Sequence, residues 1–217
     1  MATDDRPDEQ SEAELEEAAE SPSPADLFGE VEQRDGPFSG YAGRSYPDPR
    51  VASAPNIRAA VKEIVTLDGP LPKASVYSLY RDGCPQVQRV SKHMRSAINR
   101  AIADLQRVKV VVVDDEGGSR RPEDVVVRLI DQKKVVARPR GRRGIDDIPL
   151  SELGAAMRSI AQVPPSPADP ERYRGFVRAV LEKFGLKSVT ALAMERLSCA
   201  VDYEFSRRVT AGEDGLF

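Results

Sequence analysis

Histidine and cysteine, the side chains most used for nucleophilic and transition-metal chemistry, are scarce in this 217-residue chain, with one His and two Cys. The single histidine, His93, falls on the polar side of an amphipathic stretch beside Lys92. No nucleophile or carboxylate stands at a spacing that would make it a general base, and a surface or phosphate-backbone contact suits it better. Cys84 precedes Pro85 in a turn, and Cys199 lies in a helical stretch near its apolar side. They are too far apart in sequence for a zinc site or a disulfide framework, so a packing role is expected. Asp114-Asp115-Glu116 could take a cation but reads better as a solvated hairpin tip. There is no Gly-Lys-Ser/Thr loop and no acidic metal motif. The expectation is a non-enzymatic protein for which no metal, cofactor or small-molecule ligand is indicated.

What remains is cationic chemistry. Arg89, Lys92, His93, Arg95 and Asn99 share the polar side of one helix, with Arg100 nearby. Arg120 and Arg121 lie in a turn between two valine-rich runs. Arg138-Pro139-Arg140-Gly141-Arg142-Arg143-Gly144 reads as a flexible basic segment. The expected chemistry is nucleic-acid binding. The helix would face the groove, and Arg120, Arg121, Arg140, Arg142 and Arg143 would contact phosphates. A solvated interdomain linker is the plainer reading of the arginine-rich segment.

The elements that must position these residues follow from periodicity. Val90, Met94, Ile98, Ala101, Ile102 and Leu105 recur at helical spacing to about Gln106, with Ser91 as an N-cap. Val108–Val113 and Val125–Leu129 are β-branched runs that suit strands. The turn between them, Asp114 to Pro122, contains Gly117-Gly118. Upstream, Ala54–Thr66 and Lys73–Tyr80 read as helices. The order helix, turn, helix, turn, helix, hairpin is that of a winged helix-turn-helix over residues 54–130. Residues 131–149 form a basic linker. A second helical unit over 150–217 has helices from Leu150 to about Gln162, Glu171 to Phe184, and Ser188 to about Arg208. Its last two helices echo the first unit without a complete wing. The fold class expected is therefore mainly α with a small β-hairpin, a winged helix followed by a wing-poor helical repeat.

Residues 1–53 read as a disordered acidic arm, with 14 acidic and 4 basic side chains, so net −10 against +7 for the remainder. Glu12 to Glu20 suits a transient helix. Leu27-Phe28 within the arm, and Leu216-Phe217 at the end, are similar to the short Leu-Phe peptides that bind bacterial sliding clamps. The arm has neither the basic start nor the apolar stretch of a signal peptide, and no apolar run approaches the ~20 residues of a membrane span. A cytoplasmic protein is expected.

Val65-Thr66-Leu67-Asp68-Gly69-Pro70, Gly83, Gln88-Arg89-Val90-Ser91, Ile148-Pro149-Leu150-Ser151-Glu152-Leu153 and Phe184-Gly185-Leu186-Lys187 carry a resemblance. Residues from Val51 to Arg207 resemble the C-terminal domain of unknown function of large bacterial superfamily I helicases that also bear a restriction-endonuclease-like domain. The family's Glu-Gly-Pro stands here as Asp68-Gly69-Pro70, and its Arg-Ala-Gly as Arg89-Val90-Ser91. The resemblance implies an accessory module standing alone, with a helicase or nuclease as partner. Two readings follow: a nucleic-acid binder, DNA being favoured, and a protein-interaction module that docks on such a partner.

Overall fold

The computed structural model describes residues 44–211 except 118–120, 137, 139, 162 and 167; for residues 205 and 207–211 it describes the backbone alone. Most of the expected arm, the Leu-Phe segments and Arg120 lie outside the described residues. The last stretch assigned to the arm, however, is packed. Tyr46 is 4% exposed and lies against Tyr80, with ring centroids 5.4 Å apart. Its backbone N–H donates to the Gly83 carbonyl, and the Tyr80 hydroxyl donates to the Pro47 carbonyl at 2.8 Å. A Cβ at Gly83 would collide with the Tyr46 ring, so this turn needs glycine. The boundary expected after Ser53 therefore moves to before Tyr46.

Helix α1 (Ala54–Asp68) buries Ile57, Val61, Ile64 and Val65, the face its spacing predicts, and has a proline in its first turn. Strand β1 (Leu71–Pro72) follows, then α2 (Lys73–Asp82), which buries Val76, Tyr77, Leu79 and Tyr80. Helix α3 (Lys92–Arg107) is capped by Ser91, whose hydroxyl accepts from the Met94 N–H at 3.2 Å. Strand β2 (Val111–Asp115) begins later than the valine run. The chain first closes α3 with Val110 N–H on the Leu105 carbonyl and passes through Lys109 at φ 57°. Strand β3 (Val125–Leu129) keeps its expected bounds.

The sheet has three strands, not the two of a simple hairpin. All are antiparallel, in the order β1-β3-β2. Leu71 pairs with Val127 and Pro72 with Val126. Proline is tolerated there because β1 is an edge. The central strand β3 is buried through Val125, Val126 and Val127. One apolar core joins Tyr46, α1, α2, α3 and the sheet.

A second core joins Ile145 and Ile148 to three helices: α4 (Leu150–Arg158), α5 (Pro170–Lys183) and α6 (Ala191–Ala211). Helix α4 stops at Arg158, short of the expected Gln162. Among the described residues no strand follows α6. Helix α4 is buried at every position from Leu150 to Met157. It meets α6 closely, since a Cβ on Gly154 would lie 2.5 Å from the Glu204 carboxylate.

The two cores meet across polar contacts. Ser75 donates to Asp147 at 2.7 Å. The Ser151 N–H donates to Glu116 at 3.0 Å, and Arg196, 6% exposed, donates to Asp124 at 2.5 Å and to the Ile148 carbonyl at 3.1 Å. Such groups lose hydration on burial, and these bonds offset part of that cost, although Glu116 Oε1, Ser151 Oγ and Arg196 Nε make no hydrogen bond.

Candidate nucleic-acid interface

The apolar positions of α3 point into the first core, so its other side is left to solvent. Lys92, Arg95 and Asn99 stand at i, i+3 and i+7, one face of a helix. Ser96 and Arg100 continue that face, His93 flanks it, and Arg89 lies in the turn just before the Ser91 cap; all are exposed. Arg89 is thus outside the helix that was expected to begin near it.

Charge on this face is one-sided. From Arg89 to Ala103 the chain contains no acidic residue. Among the described residues, the side chains of Arg89, Lys92, Arg95 and Arg100 have neither a carboxylate at ion-pair distance nor a hydrogen bond. The first acid along the helix, Asp104, is taken up by Arg58 at 3.0 Å and Arg107 at 2.6 Å. Lys92 and His93 also occupy the first turn, where no acidic residue offsets them. The helix dipole is positive at that end, so the Lys92 charge costs rather than contributes stability there, on the order of 0.3–1 kcal/mol.

Asn99 is not free to turn. The Tyr77 hydroxyl donates to its Oδ1 at 2.6 Å. Tyr77 is 5% exposed and comes from α2, so the ring is held by the core while its oxygen reaches the surface of α3. Burial pushes the Tyr77 phenol above its ordinary value, and the bond to Asn99 and the nearby Arg95 charge oppose this. The phenol therefore stays protonated and remains a donor.

The other predicted contacts fare differently. Arg143 is fully buried, and its guanidinium grips both oxygens of Glu152 at 2.6 and 2.8 Å. As a phosphate contact it is withdrawn: the flexible segment expected there is a structured loop built around Glu152, which is itself 2% exposed. Arg140 donates to the Arg143 carbonyl at 3.0 Å, and Arg143 returns a bond to the Arg140 carbonyl at 3.3 Å. The Arg138 side chain, 7% exposed, bonds the Pro70 carbonyl at 2.6 Å and that of Asp68, tying the loop to the end of α1. Only Arg142 of this group is exposed.

The hairpin loop is also engaged. Glu116 and Asp124, each 5% exposed, bond to α4 and α6 as described, so Asp114-Asp115-Glu116 is not a solvated tip throughout. Burial raises the Glu116 carboxyl above its ordinary value, partly offset by its hydrogen bonds from Ser151. Arg121 is exposed but has Asp124 at 3.9 Å and Glu195 at 4.0 Å. The structure thus brings together Arg89, Lys92, His93, Arg95 and Asn99, and it turns Arg143 away from solvent.

The chain matches no family model, no curated protein and no solved structure. No helix among the described residues is long and apolar enough to cross a membrane, and no group of three or more metal-ligating side chains is found among them. Cys84 is buried and donates weakly to Gln86 at 3.4 Å, as a packing cysteine would.

Two residues of this face escaped the sequence reading. Arg100 stood on the polar side of the helix without being counted as a contact. Tyr77 was not singled out, although its place one turn ahead of Tyr80 was a signal that it joins the inward face.

Proposed function

We propose that the chain is a non-enzymatic nucleic-acid-binding protein that docks α3 on duplex DNA. The observation that carries this reading is the row of unpaired cations from Arg89 to Arg100. Elsewhere Arg58, Arg107, Arg128, Arg143, Arg158 and Arg196 have carboxylate partners, whereas Arg142 and the α5 residues Arg172, Arg174 and Arg178 are exposed with no such partner among the described residues. Cations left at the positive end of a helix work against the fold, and an external polyanion would offset that cost. The order α1-β1-α2-α3-β2-β3 supports a winged helix, whose third helix enters a major groove by its N-terminal end. Arg89, Lys92, His93, Arg95 and Asn99 would face the groove, and the exposed Arg142 would contact phosphate.

The test is a salt titration of the full chain against duplex DNA, single-stranded DNA and RNA. Tightest binding to duplex, falling steeply with salt, is expected. Lys92→Ala with Arg95→Ala should flatten the slope of log K against log salt by about 0.9 for each phosphate that is no longer neutralised. No binding to any nucleic acid at low salt would overturn the reading.

A second reading is favoured by one observation. The hairpin loop of a winged helix commonly reaches the nucleic acid, whereas here its acids are held by α4 and α6. That suits an accessory module docking on a helicase or nuclease, as the sequence resemblance implies. Loss of partner-protein binding in the α3 variants, with no change on nucleic acid, would select it.

A further inference from the structure

Resting on the reading that this chain binds nucleic acid, we infer that α5 is a second contact, which holds the phosphate backbone in a notch at Gly175 ringed by Arg172, Arg174 and Arg178 and reads no bases. All three arginines are exposed, and among the described residues none has a carboxylate at ion-pair distance or a side-chain hydrogen bond. Arg174 and Arg178 stand at i and i+4, where like charges repel and weaken a helix. Glu171 and Glu182 border this face, and neither comes within ion-pair distance of the three. Glu171 lies in the first turn, where the helix dipole favours an acid.

Gly175 points the same way. It lies mid-helix and exposed, and a Cβ built on it would meet nothing within 4 Å. Packing does not require glycine here, whereas at Gly83 and Gly154 a side chain would collide with Tyr46 and Glu204. Glycine in a helix interior lowers stability relative to alanine, so the fold gains nothing from it. Arg172 and Arg178 stand three residues before and three after it, along one ridge of the helix, and Arg174 is adjacent. The outcome is a gap in the side-chain surface with three guanidinium groups around it. A phosphodiester suits such a place: the missing side chain lets it approach the backbone, and planar guanidinium forks bind its oxygens.

The element after α5 accounts for the lack of base reading. Thr190 caps α6 as Ser91 caps α3, with the Ala193 N–H donating to its hydroxyl at 3.1 Å. α5 and α6 thus follow the order of a helix-turn-helix, in which the first helix crosses the backbone and the second enters the groove. The exposed side of α6 carries Leu192, Glu195, Ser198 and Asp202. Between Ala191 and Asp202 its single cation, Arg196, is buried against Asp124. An acidic helix does not suit a groove, which leaves the backbone contact of α5 on its own.

The experiment measures the affinity of the full chain for several unrelated duplex sequences across a salt series, with thermal melting alongside. Arg172→Ala, Arg174→Ala and Arg178→Ala combined should flatten the slope of log K against log salt by about 0.9 for each phosphate no longer neutralised. The flattening should be the same on every duplex and should add to that of Lys92→Ala with Arg95→Ala. Gly175→Gln removes no charge and replaces glycine by a better helix former, so it should raise the melting temperature while weakening binding on every duplex. Affinity and slope unchanged in the triple variant, with the α3 variant weakened, overturn this inference and leave α3 docking standing. Gly175→Gln binding as the wild type does, or melting below it, also overturns it, as does a loss confined to one duplex sequence. Absence of binding to any nucleic acid by the wild type overturns both readings.

Discussion

The face of α3 and the loop from Arg138 to Arg143 are both arginine-rich, and composition alone makes them look alike. Their fates are opposite. On α3 the apolar stripe faces the core, and the guanidinium groups of Arg95 and Arg100 are left outward with no partner among the described residues. In the loop, Glu152 at the start of α4 stands nine residues beyond Arg143 and draws it to full burial. One local carboxylate decides whether an arginine is a structural pair or an available cation. Counting positive residues cannot separate the two cases, and the partner must be located in space.

That contrast can be broken most sharply at Arg143. Arg143→Ala would leave a carboxylate that is 2% exposed with only Arg138, whose guanidinium stands at 3.6 Å and whose backbone N–H donates to it at 3.2 Å. A cost below the roughly 3–5 kcal/mol of a wholly unpaired buried charge is expected, read as a lower denaturant midpoint at unchanged slope. The DNA affinity of the folded protein should not move. An unaltered midpoint with a reduced salt slope would instead make Arg143 the phosphate contact that its sequence setting suggests.

The reverse pattern is expected on α3. Arg89→Ala or Arg95→Ala should cost about 1–3 kcal/mol of binding at a preferred site. Stability should change by no more than roughly 0.5 kcal/mol, since these side chains are exposed and unpaired. Arg142→Ala should weaken all sequences alike. A large loss of stability in the α3 variants would erase the distinction between the two regions.

A smaller effect is expected from the acidic residues ahead of Arg44. Residues 1–43 hold 13 acidic and 2 basic side chains, a net −11 beside +8 in the rest. Their removal should tighten nonspecific DNA binding at low salt, where screening is weakest, and leave binding near 0.15 M salt little changed. Equal affinities at low salt would show that these charges do not compete for the cations of α3. The cut must spare Tyr46, because a truncation through residue 53 would also open the first core.

The smallest effect concerns Glu116. Its carboxyl is raised by burial, so the folded state holds the proton more tightly than the unfolded state does. This contribution is fully present below the ordinary carboxylate value. It is lost as pH climbs through the raised one. Glu116→Gln keeps an acceptor for the Ser151 N–H and removes the ionisation. A rise in melting temperature at neutral pH that is lost as the pH is lowered through the ordinary carboxylate range is expected. A melting temperature that falls equally at both pH values would mean that the ionised carboxylate is the favoured form.

Much of the fold was legible because its signals are local. The helical period of Ile57 to Val65 and of Met94 to Leu105, the Ser91 cap and the valines of β3 each announce their element within a few residues. The two-residue strand β1 carries no such period, and Pro72 argues against a strand; only its pairing with Val126 and Val127 makes it one. Tyr46 sits in a Gly- and Pro-rich stretch whose composition resembles an arm. Its burial depends on Tyr80 and Gly83, far along the chain. The α3 face was legible for the same reason as its helix. The Tyr77–Asn99 bond was not, because it joins two helices, and neither was the Arg196–Asp124 pair, whose members stand 72 residues apart.

The polar contacts between the two cores also order events in time. Glu116 and Asp124 find their partners 35 and 72 residues further along the chain. During synthesis from the N-terminus, α1, α2, α3 and the sheet can condense while α6 does not yet exist. The acids at the hairpin loop then remain hydrated, and contacts of such wide sequence separation are the slow ones to close. The loop between β2 and β3, among the earlier parts to be made, is therefore among the last to be seated, and the helix that seats it is the last one described.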